Sequence, residues 1–74
     1  MTTLDKLPLD SVGKISALNC SGNIRRRMLD LGIVVGTKIK PVFRSPTGDP
    51  TAYEVRGTLL ALRKEDASFI DVSI

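Results

Sequence analysis

Turn-forming residues interrupt this chain so closely that one stretch alone has the length and bracketing of a helix. Glycine falls at positions 13, 22, 32, 36, 48 and 57, and proline at 8, 41, 46 and 50. The segments between such breaks suit short strands better than helices. The exception is "SGNIRRRMLDLG", residues 21–32. Ser21 can cap its start by accepting a hydrogen bond from otherwise unpaired N–H groups. Gly32 can end it in a left-handed conformation. About ten residues fit between, or roughly three turns.

The remaining segments predict five short strands. "GKISALN", residues 13–19, alternates Ile15 and Ala17 with Lys14 and Ser16 behind an opening glycine. "TKIKPVFRS", residues 37–45, is extended, and Pro41, which has no N–H to give a ladder, belongs at an edge or bulge. "SPTGDP", residues 45–50, is turn chemistry in which Asp49 is expected to bind nearby backbone. "TAYEVRGTLLALRK", residues 51–64, is extended, with Gly57 as a bend or bulge that curls the sheet. "EDA" is a short turn, and "SFIDVSI" ends the chain with Ile70, Val72 and Ile74 on one face. The expectation is a mainly β single domain over residues 1–74. A small barrel fits best, because closure removes exposed strand edges. A split antiparallel sheet with one helix is the neighbouring arrangement.

The chemistry such a chain can perform is narrow. A domain of 74 residues buries only roughly 60% of its unfolded surface, which leaves little wall for a deep active site. There is no histidine, so the usual general base and the commonest metal ligand are missing. Cys20 is the single cysteine, and without a partner it reads as a buried, inert thiol. The carboxylates are scattered, and Glu65–Asp66 reads as a solvated turn. No catalytic residue, metal site or cofactor is expected, and the chain is read as no enzyme. The N-terminal "MTTLDKLPLD" has no basic segment followed by an apolar one, so no signal peptide is expected. No apolar run reaches a spanning length, so no membrane insertion is expected. The expected compartment is the cytoplasm.

What remains is surface. Residues 25–44 hold six of the eleven cations and one of the eight carboxylates. Yet Arg25, Arg26 and Arg27 do not form one face, since about 100° separates successive residues and fans them round the helix. Ile24, Met28 and Leu31 form the apolar stripe expected to face the core. Leu29 lies off that stripe beside Arg25, either covered by a loop or part of an exposed contact. An apolar spot rimmed by arginine suits a protein partner. Nucleic acid is the weaker reading, because aromatic residues make up 4% of the chain and give little to stack on.

Three stretches in order, "RRRMLDLGIVVGTKI", "RSPTGDPTAYEVRG" and "LALRKEDA", resemble the FeoA family over about residues 7–74. The resemblance implies an SH3-like small β-barrel of about five strands with one short helix packed across it. It also implies a cytoplasmic accessory to the FeoB-type ferrous iron transporter, a membrane protein with a GTP-binding cytoplasmic domain. The family's arginine-leucine-aspartate-leucine-glycine pattern falls on Arg26 to Gly32, with Met28 where leucine is frequent. Its proline-glycine-aspartate-proline turn falls on Pro46, Gly48, Asp49 and Pro50. The expected partner-binding residues are therefore Arg25, Arg26, Leu29, Pro46, Gly48 and Asp49. The alternatives are a small barrel that binds nucleic acid, and a sensor that binds ferrous or another divalent ion weakly.

Overall fold

The computed structural model describes residues 2–74. Six antiparallel strands, β1 (Thr2–Thr3), β2 (Gly13–Leu18), β3 (Lys38–Arg44), β4 (Thr51–Val55), β5 (Thr58–Leu62) and β6 (Ile70–Ser73), form one sheet. Their order is β1-β6-β2-β3-β4-β5. The first helix, α1, spans Gly22–Asp30, and a single helical turn, α2, spans Lys64–Ala67. A 3-10 turn, Leu4–Lys6, leads the chain out of β1. The mainly β fold expected from the sequence is the one observed.

Strand alternation puts one side of each long strand inward. Ile15, Ile39, Tyr53, Val55, Leu62, Ile70 and Val72 meet Leu4, Leu7, Met28, Ile33 and Ala67 in a common core. The sheet curls around this cluster, helped by irregularities between Ile15 and Ala17 in β2 and between Pro41 and Phe43 in β3. Pro41 thus sits at a bulge, and the strand pairs on both sides of it. Pro41 lies opposite Tyr53, whose own backbone groups are turned toward β5. The missing N–H is therefore not needed by β4. The Pro41 carbonyl accepts a bond from the Asp10 N–H at 2.8 Å.

Several expectations need correction. The described residues form six strands, because Thr2 and Thr3 add to β6. Gly57 is neither a bend nor a bulge within one strand. Arg56 and Gly57, with φ of 53° and 79°, form a two-residue hairpin turn between Val55 and Thr58, where positive φ at both positions matches the strand twist. "EDA" is not a turn but most of α2. Ile74 is 87% exposed instead of sharing the face of Ile70 and Val72, because β6 has ended at Ser73. Ser21 holds the N-cap position of α1 but makes no capping side-chain bond.

The largest correction concerns α1. Of the expected core stripe, Met28 is fully buried, but Ile24 and Leu31 are 38% and 42% exposed. A nine-residue helix resting on the rim of so small a core presents one residue to it. The helix end fixes which one. Gly32 N–H bonds the Leu29 carbonyl and Ile33 N–H bonds the Met28 carbonyl, both at 3.0 Å, and Gly32 takes φ 88°. This double closure brings Ile33 back onto Met28, and both are buried.

Candidate functional site

The expected binding residues fall on two elements, α1 and the loop at 45–50, both tied to α2. On α1, Arg25, Arg26 and Leu29 are all exposed. No loop covers Leu29, which is 42% exposed. The Arg25 guanidinium donates to the Leu18 carbonyl at 3.2 Å, fastening the helix to the end of β2. Arg27 reaches the Asp66 carboxylate of α2 at 2.7 Å. Arg25 and Leu29 lie roughly 160° round the helix from Arg27 at the helical period. They therefore look away from α2.

The loop is held from within and from α2. Gly48 N–H donates to the Ser45 carbonyl at 2.8 Å and Ser45 N–H to the Pro50 carbonyl at 3.1 Å. The Thr47 hydroxyl donates to the Asp49 carbonyl at 3.0 Å. Contrary to expectation, the Asp49 side chain accepts from the distant Lys64 N–H at 2.8 Å instead of from nearby backbone. Lys64 opens α2, and its N–H is one of those a helix start leaves unpaired. Asp49 thus serves α2 from across the fold. Pro46 and Gly48 stay exposed on the loop. The structure brings Arg25 together with Leu29, and Pro46 with Gly48 and Asp49. The turn α2 stands between the two groups.

Each side of α2 opens into a recess. A groove of about 320 Å³ is lined by Arg27 of α1 and Leu31 just past its end, by Ala61, Leu62 and Arg63, and by Asp66. On the loop side, a recess of about 100 Å³ is lined by Asp5, Arg44, Gly48, Thr51, Tyr53 and Lys64. There Arg44 donates to the Leu7 carbonyl at 3.2 Å. Burial lifts the Tyr53 phenol above its ordinary pKa, while the neighbouring Thr51 side chain and the charge of Arg44 draw it partway back. The buried Asp5 Oδ1 has no hydrogen-bond partner among the described residues.

The sequence pointed to neither recess, since the residues lining each come from distant segments. The one local signal was the Asp49 side chain, and its partner lies 15 residues away. Among the described residues, no three of His, Cys, Asp and Glu gather as metal ligands would. Cys20 is half-buried against the core. No helix among the described residues is long and apolar enough to cross a membrane.

The model of the FeoA domain matches residues 2–74. The chain belongs to the FeoA family. A curated relative from Porphyromonas gingivalis, a fusion of Fe(2+) transport protein A with the Fe(2+) transporter FeoB, is 38% identical over 53 residues. That match covers 72% of this chain, and the chain spans only 6% of the relative's length. The iron(II) transport protein A of Clostridium thermocellum superposes with a TM-score of 0.95 at 29% identity, over 99% of this chain and 45% of that one. The FeoA of Stenotrophomonas maltophilia, described as a prokaryotic SH3 domain protein and seen with zinc, gives a TM-score of 0.82 at 32% identity, over 99% and 91% of the two chains. The family is linked to ferrous iron transport, and its SH3-like architecture is the curled sheet seen here.

Proposed function

We propose that this FeoA domain docks on the cytoplasmic part of a FeoB-type ferrous iron transporter and adjusts transport or nucleotide turnover there. It acts by binding and makes or breaks no bond itself. One observation carries this reading. In the P. gingivalis relative the matching domain is joined to the transporter in a single polypeptide, which keeps the two at high effective concentration. The surface supports it, because Ile24 and Leu29 of α1 and Leu31 just past its end remain exposed among Arg25, Arg26 and Arg27. Apolar area rimmed by arginine is the composition of protein contacts. The contact residues we assign are Arg25, Arg26 and Leu29 on α1, and Pro46, Gly48 and Asp49 on the loop.

The test is capture of the transporter from membranes with this domain as bait, with and without guanine nucleotide. Leu29→Asp is expected to lower capture by at least about tenfold, as removal of a central contact does, with its circular dichroism spectrum unchanged. Absence of capture by the wild-type domain under both conditions refutes the proposal. Undiminished capture by Leu29→Asp removes α1 from the contact.

A further inference from the structure

The strand β5 ends the sheet, with β4 on one side and, among the described residues, no strand on the other. Its backbone shows which groups are left open. Val55 and Thr58 close a two-residue hairpin, so Thr58, Leu60 and Leu62 exchange their hydrogen bonds with β4. Leu59 and Ala61 turn both their N–H and C=O groups the other way. Among the described residues no hydrogen bond satisfies these four groups.

Natural edge strands are usually blunted by an inward charge, a proline or a cover. The sequence of β5, TLLAL, has no charged residue and no proline. Its outward-facing Leu59 is 58% exposed. Cross-strand register sets Ala61 beside Ala52 and Ala52 beside Phe43, and Phe43 is also 58% exposed. An apolar band therefore crosses the outer face of the sheet and stops at this edge. Along the same edge runs the groove walled by Ala61 and Leu62 on one side and by Arg27 of α1 and Leu31 just past its end on the other.

We propose that this edge receives an extended acidic-apolar segment of the partner as a seventh strand, antiparallel or parallel to β5. This rests on the docking reading and names the partner's chemistry. Main-chain bonds to Leu59 and Ala61 supply the pairing, and alternate apolar side chains of the guest extend the band of Phe43, Ala52 and Ala61. The charge at the ends of β5 selects the guest. Arg56 precedes the strand and Arg63 follows it, and neither has an ion pair among the described residues. Carboxylates flanking the guest's apolar core meet them. The same charges disfavour a second copy of this chain. Antiparallel pairing about Leu60 that uses both open residues brings the Arg56 end of each copy to the Arg63 end of the other, and like charges brought together across a strand pair are destabilising.

The experiment uses 12-residue peptides covering the FeoB-type transporter of the same organism, arrayed and probed with wild-type domain and with Ala61→Pro. Proline at an outward edge position removes one open N–H and costs no existing ladder bond. Expected are bound peptides with carboxylates flanking an apolar stretch, whose binding falls at least about tenfold with Ala61→Pro and with carboxylate-to-lysine peptides. In ¹⁵N NMR of the wild-type domain, such a peptide should protect the Leu59 and Ala61 amides from exchange. Leu59→Lys, tested alongside, guards against misfolding of the proline variant and is expected to weaken binding equally. Shifts confined to α1, or binding indifferent to both variants and to peptide charge, overturn the proposal. So does concentration-dependent dimerisation of the wild-type domain that Ala61→Pro abolishes, which would assign the edge to a second copy. Capture of the whole transporter undiminished in Ala61→Pro but lost in Leu29→Asp would leave docking standing and remove strand addition, whereas loss of all capture would remove docking itself.

Discussion

Replacing Met28 with alanine tests the account of how α1 is held. Met28 is the buried residue of that helix, at 0% exposure, and it packs where the chain folds back through Ile33. Truncating a fully buried methionine costs about 2–5 kcal/mol, from lost transfer energy and an incompletely filled cavity. A 74-residue domain has a total stability of roughly 4–11 kcal/mol at ordinary values per residue. The substitution therefore removes a large share of it. At about 4–8 °C per kcal/mol for a domain of this size, the melting temperature is expected to fall by at least about 8 °C. The helix itself cannot make up the loss, because nine residues are too few to stay helical alone. Leu31→Ala and Ile24→Ala provide the contrast. Both residues belong to the same apolar stripe, but being exposed by 42% and 38% they should each cost below about 1 kcal/mol. Thermal and urea unfolding by circular dichroism measure all three. Equal losses at Ile24, Met28 and Leu31 would mean that the stripe packs inward as a unit, and would refute the one-residue anchor.

Tyr53 is the only tyrosine, so its absorbance near 295 nm reports its titration directly. Its pKa is raised by burial, so the neutral phenol is the form the fold prefers. That contribution is intact below the unfolded value of about 10 and is lost as pH climbs through the raised folded value. The wild-type domain should lose stability faster than Tyr53→Phe above about pH 10, and identical alkaline limbs would contradict the burial. Asp49→Ala should cost about 1 kcal/mol, as loss of a helix-start acceptor does, and should speed exchange of the Lys64 amide before others. Arg27 and Asp66 pair on a surface where the arginine side chain is 58% exposed. Asp66→Ala should therefore cost below about 1 kcal/mol, with the difference shrinking as salt rises from 0.05 to about 1 M.

Much of the fold was legible because local rules and packing agreed. Gly32 marks the end of α1, alternation marks Ile15, Tyr53 and Val72 as inward, and Pro41 marks the bulge. The failures have identifiable causes. The helical stripe of Ile24, Met28 and Leu31 gave the correct period but not how much core the helix would meet, because a short helix on a rim has too little partner surface. The Arg56–Gly57 turn lacks the Asn-Gly or Asp-Gly signature of a tight hairpin, and Arg56 takes a positive φ that arginine seldom adopts. The site was legible only as residue types. That Arg27 meets Asp66, and Asp49 meets Lys64, depends on distant segments converging, which single-sequence periodicity does not carry.

The four residues Lys64–Ala67 hold α1 through Asp66 and the 45–50 loop through Lys64. One residue inserted between those two would swing the carboxylate about 100° round the axis. It would free the arginine yet leave the loop's grip in place. The length of this tetrapeptide therefore sets how α1 and the 45–50 loop are keyed to each other, and a chain with one residue more there should hold the two at a different mutual angle.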